Sequence, residues 1–179
     1  MKAKTIFLTV VLAVLAPMCL LSGGCGRETT AAMSPQGSSL PFTMPALFTY
    51  DKEASAKNGM LTFTSDSGTT LIVAYSDTQK GFLQQSRSHP LTENSLVTSY
   101  KDAGLDVSVT DLKLQDSDTA LTYTFTVHLS TQNGSTITRK YIRITEGKVL
   151  DLSCGGNVVD SDTIDLDYGA VVQAIEQGT

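Results

Sequence analysis

From Leu121 to Leu129 every second residue is apolar. Leu121, Tyr123, Phe125, Val127 and Leu129 alternate with Thr122, Thr124, Thr126 and His128. A period of two over nine residues is the mark of a strand with one buried face, and it commits the chain to a sheet with something packed on that face. Asn133-Gly134 follows, the preferred two-residue hairpin turn. That turn predicts a register in which Gln132 faces Ser135, Phe125 faces Ile142 and Tyr123 faces Ile144, so apolar meets apolar. On the opposite face the same register pairs His128 with Arg139, Thr126 with Tyr141 and Thr124 with Arg143.

The flanking segments extend this hairpin into a mixed domain. Leu47-Phe48-Thr49-Tyr50 reads as a short first strand. Met60–Thr64 and Thr70–Ser76 alternate on either side of the turn-rich Ser65-Asp66-Ser67-Gly68-Thr69, which predicts a second hairpin. Between Asp77 and Arg87 only Phe82 and Leu83 are large and apolar, a thin signal for a helix. After Pro90, Thr92 is placed to cap a helix that carries Ser95, Leu96, Ser99, Tyr100 and Ala103 on one face, with Gly104 ending it. Leu105, Val107 and Val109 alternate, then the phase slips before Leu112 and Leu114. A one-residue slip would turn the whole face over, so a bulge near Thr110-Asp111 is expected. Glu146-Gly147-Lys148 turns the chain into a last strand, Val149–Cys154, whose cysteine shares a face with Leu150 and Leu152 and reads as a small buried hydrophobe. Ile164, Tyr168, Val171, Val172 and Ile175 form one helical stripe. This closing helix is expected on the face that carries Leu121–Leu129.

The pattern is that of an α+β domain, an antiparallel sheet packed with helices. Two passages carry a family likeness: Ser99-Tyr100-Lys101-Asp102-Ala103-Gly104 leading into the Leu105 strand, and Tyr141-Ile142-Arg143-Ile144-Thr145-Glu146-Gly147-Lys148-Val149. With the order of elements over about residues 47–176, they resemble the Mog1/PsbP-type α/β/α sandwich of small bacterial lipoproteins and periplasmic proteins. In that family the second passage is a strand, a Gly-containing turn and a return strand before a last helix. Its members have unrelated roles, so the likeness implies a fold and leaves function open.

The start of the chain has a separate organisation. Lys2 and Lys4 precede an uncharged apolar stretch, Thr5–Leu21, and then Ser22-Gly23-Gly24-Cys25. This is the layout of a secretory signal: basic region, apolar region, small-residue cleavage site. The stretch is also long enough for a retained membrane helix, but Pro17 and the Ser-Gly-Gly run favour cleavage. A cysteine after two glycines resembles the bacterial lipobox, with Ser22 in the slot where that pattern favours leucine. The resemblance implies cleavage before Cys25 and a diacylglycerol anchor on its sulfur. Residues 1–24 are thus expected to be a signal peptide, 25–45 a flexible tether rich in small residues and proline, and 46–179 one α+β domain. In Gram-negative cells Gly26, rather than an aspartate after the cysteine, implies the outer membrane facing the periplasm.

Charge narrows the partners. Loss of Lys2 and Lys4 takes 13 basic residues to 11 against 18 acidic ones, so the net charge moves from −5 to −7. An acidic domain is a poor match for nucleic acid, whose phosphates demand a basic patch. It also lacks electrostatic attraction to lipid, so the lipidated Cys25 is expected to do the anchoring. With Cys19 leaving in the signal and Cys25 acylated, Cys154 has no partner for a disulfide.

Candidate chemistry is sparse. The run Asp160-Ser161-Asp162-Thr163-Ile164-Asp165-Leu166-Asp167 fails the calcium-loop pattern at its fifth, sixth and twelfth places; its acids are expected to cap the closing helix. His89 and His128 have no nucleophile at a recognised spacing, no metal-ligand spacing appears, and no cofactor motif is present. The one polar constellation is His128, Arg139, Tyr141 and Arg143, a candidate anion or partner patch on the second face of the hairpin. If a helix covers that face, the patch is partly occluded. The expectation is a non-enzymatic, membrane-anchored lipoprotein that binds a protein partner or supports an envelope complex. The alternative is a small-ligand-binding lipoprotein with a cavity between sheet and helices.

Overall fold

A computed structural model of the chain describes residues 40–131 and 134–178. Strand β1 (Phe48–Tyr50) leads to helix α1 (Lys52–Asn58), then to β2 (Leu61–Ser65) and β3 (Thr70–Asp77). Helices α2 (Phe82–Ser88) and α3 (Glu93–Asp102) follow, then the meander β4 (Val107–Asp116), β5 (Ala120–Thr131), β6 (Gly134–Thr145) and β7 (Lys148–Asn157). A 3-10 turn (Val158–Asp160) opens into α4 (Ser161–Gln177). All seven strands form one antiparallel sheet in the order β1-β2-β3-β7-β6-β5-β4. The last strand of the meander returns beside β3 and so fuses the two hairpins.

Local signals account for the ends of several elements. Thr92 accepts from the Ser95 backbone N–H and Ser95 Oγ accepts from Thr92 N–H, a reciprocal capping box that starts α3. Helix α1 is not apparent in the sequence because seven residues show too little periodicity, but its punctuation is present. Asp51 Oδ1 accepts from Ala54 N–H at 2.8 Å, and Gly59 closes the helix at φ 67°. The expected bulge is present. Between Thr110 and Lys113 the β4–β5 register shifts by one residue, with Asp111 at φ 57°. It keeps Val107, Val109, Leu112 and Leu114 on one side despite the slip in sequence, and it kinks the free edge formed by β4.

The hairpin register differs from the expected one by two residues. Thr131 pairs with Gly134, Phe125 with Lys140, Tyr123 with Ile142 and Thr126 with Arg139. Gln132 and Asn133 lie outside the described residues. Gly134 belongs to the ladder at φ 133°, away from the φ near 90° that the second position of the expected turn requires. Because the shift is even, every side chain keeps its predicted face.

The sheet is covered on both sides. On one side Leu83, Leu96 and Tyr100 of α2 and α3 pack on Val107, Val109, Leu121, Tyr123, Phe125, Val127, Ile142 and Ile144. On the other, Ile164, Val171 and Ile175 of α4 pack on Leu61, Phe63, Leu71, Val73, Leu150, Leu152 and Cys154. The closing helix therefore lies on the face opposite the expected one. Its apolar partners come mostly from β7 and from β2 and β3, which join the meander only through the β3–β7 pairing. Leu40, Phe42 and Met44, which the sequence pattern assigns to the tether, also pack on this second core. The earlier part of that segment lies outside the described residues.

One ion pair sits inside the protein. Lys140 Nζ lies 2.5 Å from Asp151 Oδ1 and donates to Ser153 Oγ at 2.7 Å, with both charged side chains fully buried. Burial pushes the Asp151 carboxyl up from its ordinary value and Lys140 pulls it back down. Asp151 Oδ2 and the Tyr100 hydroxyl are buried without a partner among the described residues. Removing one member of such a pair strands the other charge in a low dielectric. Asp151→Ala is thus expected to cost about 3–5 kcal/mol in urea unfolding, and Lys140→Met combined with Asp151→Leu to recover most of it. A double variant as unstable as the single one would show that the pair's own attraction, rather than the stranded charge, carries the stability.

Candidate functional site

The structure separates the four patch residues. On the α4 side of the sheet β6 presents Ile137, Arg139, Tyr141 and Arg143 in turn, opposite His128, Thr126, Thr124 and Thr122 of β5. Arg139 is taken up by α4. Its Nε and a terminal nitrogen donate to both oxygens of Asp165, at 2.5 and 2.9 Å, and the other terminal nitrogen donates to Thr126 Oγ1 at 2.5 Å. A bidentate Arg–carboxylate pair of this geometry is a docking contact between helix and sheet. His128 is half-buried and stands opposite Ile137, toward the other end of the strand from Arg143. Cys25 lies outside the described residues.

Tyr141 and Arg143 do come together, in a cleft of about 390 Å³ between the sheet and the last turn of α4. Gln115 and Ser117 at the end of β4, Ala120 and Thr122 of β5, and Glu176 of α4 complete its lining. Tyr141 is 3% exposed and anchored in the second core. Arg143 and Glu176 each hold interactions within the protein. The sequence pattern does not single out Gln115, Ser117 or Glu176, although it holds signals for two of them. The bulge brings Gln115 opposite Thr122 on the α4 side, and Glu176 follows directly on the stripe residue Ile175.

Helix α4, the wall of this cleft, is fixed by the acidic run expected to cap it. Asp160 makes no side-chain capping bond. Asp165 holds Arg139, and Asp167 Oδ2 accepts from Ser65 Oγ at 2.7 Å, at the end of β2, and from Ser67 Oγ at 2.6 Å in the β2–β3 loop. Burial tends to raise the Asp167 pKa, but hydrogen bonds from Ser67, Thr69 and Ser65 outweigh it and hold it below its ordinary 3.8. Cys154 lies under the same helix, a buried free thiol pushed up to about 12 by burial and the nearby Asp167 and Asp165 charges. It is a packing residue and is not activated as a nucleophile.

No protein-family model and no curated protein matches the chain. Among solved structures, the solution structure of cyanobacterial PsbP (CyanoP) from Synechocystis sp. PCC 6803 is similar in fold, with a TM-score of 0.55 at 14% sequence identity. The match covers 85% of this chain and 96% of that one. The fold is α+β and PsbP-like, an antiparallel sheet between helical layers.

The lowered pKa of Asp167 has a signed consequence. The stability it contributes is complete above the unfolded carboxylate's titration near 3.8 and is lost as pH falls through its lower folded value. Asp167→Asn is expected to lose about 1–2 kcal/mol at pH 7 and to lose less than the parent between pH 5 and 2. Urea titrations across that range check both; parallel losses in the two proteins would remove Asp167 as the source.

Proposed function

We propose that the chain is an exported lipoprotein, tethered through Cys25, whose PsbP-like domain works by binding a protein partner rather than by catalysis. The observation that carries this reading is the passage Ser22-Gly23-Gly24-Cys25 behind a basic and then apolar leader. Among the described residues no helix is long and apolar enough to cross a membrane. Two features of the domain agree with a binding role. Several of its charged and nucleophilic groups are engaged in holding the structure: Lys140 with Asp151, Asp167 with Ser65 and Ser67, and Cys154 within the second core. Its surface also offers a partner apolar contacts at the start of α4, where Val159 is 86% and Leu166 76% exposed.

The second reading, a small-ligand-binding lipoprotein, draws on the cleft beside Arg143. That cleft is polar and lies at the surface, so its ligand is a polar molecule rather than one buried in an apolar cavity.

Cys25→Ser is expected to leave the domain in the soluble fraction of cells that process the signal. Retention on the membrane after cleavage would refute the anchor. Crosslinking followed by affinity purification from membranes is expected to recover one specific partner, lost when Val159 and Leu166 are both changed to Ser. Recovery of no specific partner would sink the partner-binding reading and leave the ligand-binding one.

A further inference from the structure

The cleft beside α4 has charges of opposite sign within one small space. Arg143 of β6 offers a guanidinium, the group best matched to a carboxylate because it donates two parallel hydrogen bonds. Glu176 of α4 brings a carboxylate to the same lining. It stands in the last turn of a seventeen-residue helix that has no basic residue of its own there to offset the negative end of the helix dipole. Gln115, Ser117, Thr122 and Tyr141 add neutral donors and acceptors. The cleft's volume of about 390 Å³ falls in the small-molecule range.

We infer that this cleft binds a small zwitterion of the α-amino-acid class, its carboxylate on Arg143 and its ammonium toward Glu176 and the C-terminal end of α4. A simple anion would satisfy Arg143 and meet repulsion from Glu176; a simple cation would meet the reverse. A molecule carrying both charges a few bonds apart is attracted at both ends. Arg143 and Glu176 each already hold interactions within the protein, so the ligand adds to groups whose positions are constrained. The inference deepens the ligand-binding reading and rests on it; it is independent of the anchor and of any protein partner.

The test is isothermal titration of the purified full chain in detergent with the protein amino acids one at a time, and with acetate, succinate and n-butylamine as single-sign controls. At least one amino acid is expected to bind saturably below about 10 mM, with the controls at least about tenfold weaker. Arg143→Gln and Glu176→Gln are each expected to weaken that amino acid by about tenfold or more, since each removes a charged hydrogen-bond partner. Glu176→Gln should meanwhile tighten acetate. Gln115→Ala, at an exposed position on the edge strand, should weaken binding less and leave thermal unfolding unchanged, which controls for loss of fold. Succinate or acetate binding as tightly as every amino acid would overturn the zwitterion assignment while leaving a ligand cleft. Binding unaltered by Arg143→Gln would place the ligand elsewhere and overturn the site. No saturable binding by any compound would overturn both the inference and the ligand reading.

Discussion

The Lys140–Asp151 pair is the contact on which the arrangement of the sheet depends. An antiparallel sheet with one apolar face tolerates a register slip of two residues, because each side chain stays on its own side. Lys140 restricts that tolerance. It stands directly opposite Ser153 and diagonal to Asp151 across the β6–β7 ladder. Slipping the strands by a residue pair in the direction that sets Lys140 opposite Gly155 would pull these fully buried charges apart, at a cost of several kcal/mol. The pair thus excludes one of the two slips that hydrophobicity leaves open. With β6 fixed on β7, the positions of Arg139, Tyr141 and Arg143 beneath α4 are fixed as well.

The same distinction explains which features of this structure are legible in the sequence. Parity is local information: the alternation of Leu121 to Leu129, the broken phase at Thr110-Asp111 and the capping residue Thr92 each state their consequence within a few residues. Register is not local. The Asn133-Gly134 dipeptide points to a hairpin but to pairings two residues away from those formed, and the alternation of apolar residues is the same in both. The placement of α4 is hidden for a related reason. Its apolar stripe is plain, yet two apolar faces compete for it, and the second is assembled from β2, β3 and β7. No short-range pattern reports that Leu71 lies beside Cys154 and Val73 beside Leu152.

That placement governs the candidate site. On its side of the sheet α4 packs over strands β2, β3 and β7 and reaches β6, whereas the same side of β4 and β5 carries Ser108, Thr110, Lys113, Gln115 and a row of threonines. The sheet therefore passes from an apolar covered half to a polar half along the line of β6. A cleft forms at that boundary because α4 ends there and the polar half offers no apolar surface to draw it further. The patch of arginines and tyrosine predicted from the hairpin straddles the boundary. Its Arg139 serves the packing of the helix, and its Arg143 opens onto the cleft.

Why Glu176 arrives beside Arg143 follows from the repeat lengths of helix and strand. Asp165 and Asp167, two residues apart, project about 200° from each other around α4. They reach opposite flanks of the helix, β6 on one side and the β2–β3 loop on the other, and so fix its rotation. Glu176 lies eleven residues beyond Asp165, just over three full turns, and returns to the same flank about 16 Å along the axis. Arg143 lies four residues beyond Arg139, about 14 Å along β6. A helix docked through Asp165 on Arg139 therefore brings its next acidic residue on that flank level with the next arginine on that strand. The Asp165–Arg139 contact positions the cleft as well as the helix, although it lies three helical turns away from it.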